Sequence, residues 1–147
     1  MASDSLLGTS LALVDGDLVL EGDGFRMVSG LPNLVQALEL RVLTPLGSDI
    51  FNVTYGLDVT QAFTQPHGRR SVQDFLKVSL IQTISTDARV RDIREVVFED
   101  DADYLARHPE LTPEILRAHK RLRLWQVEVV IDTIANETAT LVVNVGV

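Results

Sequence analysis

The 147 residues contain no cysteine. That excludes disulfides and thiolate zinc sites and suits a chain made in a reducing compartment. Positive charge is in short supply: 13 Lys and Arg stand against 21 Asp and Glu, for a net charge of −8. An acidic surface repels phosphate backbones and anionic lipid, so neither nucleic acid nor a membrane is an expected partner. Long apolar runs are missing too. Leu11 to Val14 is far too short to span a bilayer, and Met1 to Gly8 lacks the basic start of a secretory signal. What remains is a chain that is 46% hydrophobic, enough to bury a core, which reads as one domain over residues 1–147.

Local patterns place the elements. Residues 1–10 read as a flexible arm, and a turn-rich stretch with a short strand near Asp17 to Glu21 follows. Leu31, Leu34, Val35, Leu38 and Val42 recur at helical spacing, and Thr44-Pro45 ends that helix. Ile50, Phe51 and Val53 suggest a brief strand. A polar loop from Thr64 to Arg70 precedes a second helix, with Ser71 and Asp74 at the spacing of a capping box. Its apolar positions are Val72, Phe75, Leu76, Leu80, Thr83 and Ile84. Ile93 to Phe98 reads as a strand. Residues 100–120 look like an insertion. Within it, Thr112-Pro113-Glu114 supplies an N-cap, a proline at the first position and an acid in the first turn. Trp125 to Asp132 and Thr140 to Val147 alternate around a turn near Asn136-Glu137, the pattern of an antiparallel hairpin. The expected fold is α+β: two main helices on one side of a small mixed or antiparallel sheet, a closing C-terminal hairpin and a short helical insertion.

No chemistry-bearing motif emerges. His67, His108 and His119 have no histidine at i+4, and the flanks of a helix are ordinary places for exposed histidines. A calcium loop starting at Asp101 fails, because Ala106 stands at its glycine and Thr112 at its bidentate glutamate. The acidic run Glu99, Asp100, Asp101 and Asp103 reads as a solvated loop. There is no nucleophile elbow and no glycine-rich phosphate loop. Glu39 is the obvious candidate acid for glycan hydrolysis, but a solvated residue or an ion pair with Arg41 or Arg69 is the simpler reading. No catalytic residue, metal ligand or cofactor is expected. Asp87 and Arg89, at the end of the second helix, read as exposed charges worth little stability.

Several segments resemble, in order, the baseplate wedge proteins of contractile tails. They are Ser29-Gly30, Gln36, Leu43-Thr44-Pro45-Leu46-Gly47 and Asn52-Val53-Thr54-Tyr55-Gly56. Asp87-Ala88-Arg89 stands where that family has Glu-Pro-Arg, and a hairpin from Arg123 to Val147 closes the chain. The likeness covers Asp23 to Phe98 and Arg123 to Val147. It implies a structural subunit that joins other wedge subunits, tail sheath and inner tube or hub proteins. Six copies per particle are implied, made in the bacterial cytoplasm and carried in the baseplate of a phage tail or an injection machine. It also implies partner docking at Asp87 and Arg89. The strand bearing Leu141, Val143 and Val145 is expected to face sheath, since no charged residue follows Glu137 to blunt its edge. The competing arrangement places that strand inside the chain's own sheet. Two other functions stay open: a baseplate peptidoglycan hydrolase, and a small anti-adaptor-like binding protein.

Overall fold

The computed structural model describes residues 2–64 and 68–146, and it begins with order where composition suggests an arm. Helix α1 (Ala2–Leu7) opens the chain. Leu7 is fully buried, and its carbonyl accepts from Asn33 Nδ2 at 2.9 Å and Arg89 Nη1 at 3.0 Å. Six residues cannot hold a helix alone. Tertiary contacts fix this one, which corrects the flexible-arm expectation for the described part of residues 1–10.

Six short strands follow: β1 (Thr9–Leu11), β2 (Leu13–Val14), β3 (Asp17–Leu18), β4 (Leu20–Glu21), β5 (Gly24–Phe25) and β6 (Met27–Ser29). β1 pairs with β6 as a stem, and β2–β3 and β4–β5 are small hairpins beyond it. The single strand expected near Asp17 to Glu21 is thus split in two.

Helix α2 (Gly30–Leu43) follows the extended N-cap residue Ser29 and stops at extended Thr44, as a residue before proline requires. Leu34, Leu38 and Val42 are buried, and Leu31 and Val35 pack on the same core. Each buried leucine contributes about 1.5–3 kcal/mol before ordering entropy. The strand expected at Ile50–Val53 does not form. Asp49 Oδ1 accepts from the amides of Phe51 and Asn52, winding the segment into turns, and no strand pairs with it among the described residues. Phe51 is left 93% exposed. The loop is closed at its base, where Leu57 N donates to Thr44 O at 2.8 Å and Leu46 N to Leu57 O at 3.0 Å. Gly56 sits at φ +119°, where a Cβ would lie 2.4 Å from Thr44 O, so only glycine fits this closure.

Helix α3 (Thr60–Thr64) is followed by residues 65–67, so Pro66 and His67 of the expected polar loop lie outside the described residues. Helix α4 (Arg69–Ser85) starts after Gly68 without a side-chain cap, which places Ser71 and Asp74 inside the helix rather than at its cap. Strand β7 (Val90–Phe98) leads into helices α5 (Ala102–Arg107) and α6 (Pro113–Leu122). Thr112 Oγ1 accepts from Ile115 N, as the N-cap pattern anticipates. Strands β8 (Leu124–Thr133) and β9 (Thr138–Gly146) form the hairpin, and the antiparallel sheet order is β7-β8-β9.

Trp125, Val127, Val129 and Ile131 of β8 point into the core beneath α2 and α4. α2 lies over β9 and α4 over β7. The intervening β8 residues face the other way, and there Glu128 is covered by α5 and α6. The 100–120 segment therefore packs on the opposite face of the sheet from α2 and α4, not beside them.

Candidate partner-docking surface

Leu141, Val143 and Val145 are 1%, 5% and 4% exposed. They belong to the chain's own core, so their side chains are not a docking face. The correction follows from strand parity, since alternate residues of β9 point to opposite faces. What β9 does offer is its backbone. Thr133 N donates to Glu137 O, while Glu99 N donates to Gln126 O and Ile134 N to Arg89 O. Odd-numbered residues of β8 thus bond to β9, and even-numbered ones bond to β7. With Val129 opposite Leu141 and Val127 opposite Val143, the amides and carbonyls of Thr140, Val142 and Asn144 point away from the sheet. No other strand pairs with β9 among the described residues. The side chains of these three are exposed and uncharged.

The other edge of the sheet is different. β7 is bulged between Val90 and Asp92 and again between Ile93 and Glu95. It carries Arg91, Asp92, Arg94 and Glu95, and beside it runs an open groove of about 890 Å³ that Arg69, Lys77, Arg94 and Asp100 help to line. Bulges and charges are the ordinary means of making an edge unfit for pairing. β9 has neither over the nine residues from Thr138 to Gly146.

Asp87 and Arg89 are not free surface charges. Asp87 is buried and Arg89 is half-buried. The guanidinium meets the carboxylate through two bonds, Nε to Oδ1 at 2.9 Å and Nη2 to Oδ2 at 2.7 Å. Arg89 N adds a third to Oδ1 at 3.0 Å. Burial pushes the Asp87 carboxyl up, but the hydrogen bonds and charge of Arg89 outweigh it and hold the group below the usual carboxylate range. Since Arg89 also binds the Leu7 carbonyl, the pair ties α1 to the turn between α4 and β7. The expectation of exposed, energetically minor charges is corrected: the turn folds its acid inward because α1 supplies a second acceptor for the arginine.

The 100–120 segment covers a polar cluster that includes Glu99 and two histidines expected in solvent. Glu99 and Glu128 are buried. His119 Nδ1 lies 2.6 Å from Glu99 Oε2, and Arg69 Nη2 lies 3.7 Å from its Oε1. His108 Nε2 lies 3.0 Å from Glu128 Oε2 and its Nδ1 2.9 Å from Glu110, while Arg107 Nη2 approaches Glu128 Oε1 at 3.1 Å. Hydrogen bonds to Glu128 and Glu110 raise the His108 pKa. Tyr104 stacks on the His108 ring at 4.2 Å, and burial, followed by the charges of Glu128 and Glu99, pushes its phenol up to about 12. The contacts of His108 with Glu128 and of His119 with Glu99 each span twenty positions, so no local pattern could announce them. Among the described residues no group of three His, Asp or Glu side chains is placed to hold a metal ion.

Glu39 pairs with neither Arg41 nor Arg69. Arg41 donates to Thr86 Oγ1 at 2.8 Å and lies over the Tyr55 ring, while Arg69 stacks on Trp125. Burial alone raises the Glu39 pKa, with no contribution from a neighbouring carboxylate. No described helix is long and apolar enough to cross a membrane. No family model matches the chain, and no curated protein matches it.

Proposed function

We propose that the chain is a structural subunit of a contractile-tail or injection-system baseplate, joining wedge subunits and initiating sheath assembly by accepting a strand along β9. The observation that carries this reading is the asymmetry of the sheet: one edge bulged and charged, the other regular, uncharged and, among the described residues, unpaired. Strand addition draws affinity from main-chain hydrogen bonds and register from alternate side chains. The ordered likeness from Ser29-Gly30 to the closing hairpin supports the choice of partner. In this reading the protein works in several copies, six by the same likeness, within a particle assembled in the bacterial cytoplasm. It needs no cofactor and performs no catalysis. A glycan hydrolase would need a second acid about 5–9.5 Å from Glu39, and the burial that raises the Glu39 pKa does not supply one.

The test is Val142→Lys. Val142 faces solvent, so the change should alter stability by no more than about 0.5 kcal/mol while placing a lysine where natural edges carry one to prevent pairing. Co-produced with the sheath and baseplate proteins of a contractile particle, the variant should enter baseplates that carry no sheath. Sheath of normal length on those baseplates refutes the proposal. Clearing of a peptidoglycan suspension by the purified protein, lost in Glu39→Gln, would establish the hydrolase instead.

A further inference from the structure

Arg41 reaches the C-cap of α4 at Thr86, so that side of α2 faces α4. The opposite flank carries Val35, Glu39 and Leu43, spaced at i, i+4 and i+8. Because α2 lies over β9, the outermost strand on that side, this flank overhangs the open edge. Leu43 is exposed there and, with Pro45, Leu57, Asn144 and Gly146, helps to line a pocket of about 90 Å³. Glu39 is half-buried and makes no hydrogen bond or ion pair among the described residues.

A strand added to β9 lies about 4.8 Å beyond it. Its residues beside Leu141, Val143 and Val145 point inward, beneath the α2 flank. Apolar side chains there would meet Val35 and Leu43. A docked strand would also strip water from the Glu39 carboxylate, which a buried charge tolerates only with a partner. We propose that Glu39 receives a lysine or arginine from the strand that pairs with β9, and so selects which strand is accepted. This rests on the reading of β9 as a strand-accepting edge. The occupant is a different chain, because β9 itself holds no basic residue between Thr138 and Gly146. Two copies paired edge to edge through β9 would leave both Glu39 carboxylates unmatched.

The experiment uses three synthetic peptides of alternating Val and Thr with Arg, Gln or Glu at the central inward position, titrated into the ¹⁵N-labelled protein. The amide resonances of Thr140, Val142 and Asn144 report strand pairing, and the titration gives the dissociation constant. The Arg peptide should bind about tenfold more tightly than the Gln peptide, a difference of ~1.4 kcal/mol, with the Glu peptide weakest. The preference should vanish in Glu39→Gln and reverse toward the Glu peptide in Glu39→Arg. If all three peptides shift the β9 amides with equal affinity, the role of Glu39 is overturned while the edge reading stands. If none shifts those amides even at millimolar concentration, the edge reading falls and this proposal with it. Pairing seen without peptide, as protein concentration rises, would make a second copy the occupant and also overturn it.

Discussion

Replacing Asp87 by alanine should cost a substantial part of the protein's stability. The carboxylate is buried and accepts three hydrogen bonds from Arg89, one from the amide and two from the guanidinium. Truncation leaves that guanidinium partly buried, bound only to the Leu7 carbonyl. Breaking a fully buried pair costs about 3–5 kcal/mol. Arg89 keeps 27% of its side chain exposed and recovers some hydration, so about 2–3 kcal/mol is the working figure. For a chain of this size that lowers the melting temperature by roughly 5–10 °C. Urea denaturation and calorimetry measure it, and amide exchange near Gly8 should quicken as α1 comes loose. The pH dependence has a definite sign. Asp87 titrates lower when folded than when unfolded. Its contribution is therefore present above the unfolded carboxyl value of about 3.9 and is lost as pH falls through the lower folded value. Wild type and variant should converge in acid and differ fully at neutral pH. A melting temperature within about 2 °C of wild type at neutral pH would refute the assignment of the pair as an internal tie.

Three further outcomes are expected. Leu141→Ala should destabilise by about 2–5 kcal/mol in urea denaturation, the cost of a core cavity rather than of a surface change. Gly56→Ala should lose at least ~1–3 kcal/mol in the same assay, because the new Cβ meets the Thr44 carbonyl at a backbone angle that disfavours side chains. His108→Gln should lower the melting temperature most in mildly acidic buffer: a histidine whose folded pKa is raised stabilises fully below its unfolded value of about 6.5 and loses that effect as pH rises through the folded one.

Signals within about one helical turn were legible from the residues. The Leu31–Val42 stripe, the Thr44-Pro45 stop, the Thr112 cap and the alternation on both sides of Asn136 each hold in the structure, because the forces that set them are local. Long-range matters were not. α1 is ordered by contacts with Asn33 and Arg89. Ile50, Phe51 and Val53 have strand-forming side chains, yet no strand pairs with them among the described residues, and the Asp49 carboxylate takes the chain into turns instead. Glu99 looks solvated until the 100–120 segment brings His119 over it, and the same segment sets His108 against Glu128. Parity also separated two properties that the sequence presents together. The same alternation that marks Leu141, Val143 and Val145 as apolar turns their side chains inward and leaves the intervening residues' backbones to the outside.

The unlike edges of the sheet also set a stoichiometry. A sheet open on both sides can be a repeating unit and elongate into a fibre, each added strand offering the next a fresh template. Here the kinked, ionic margin at β7 closes one direction, so on the proposed reading of β9 a single molecule would have one vacancy and fill it once. Whatever enters beside β9 ends the count for that molecule. Edge-to-edge meeting of two copies would yield a closed pair, with both vacancies consumed and no growing end. On that reading the fold would be a terminus, able to start or finish a row of strands but not to lengthen one.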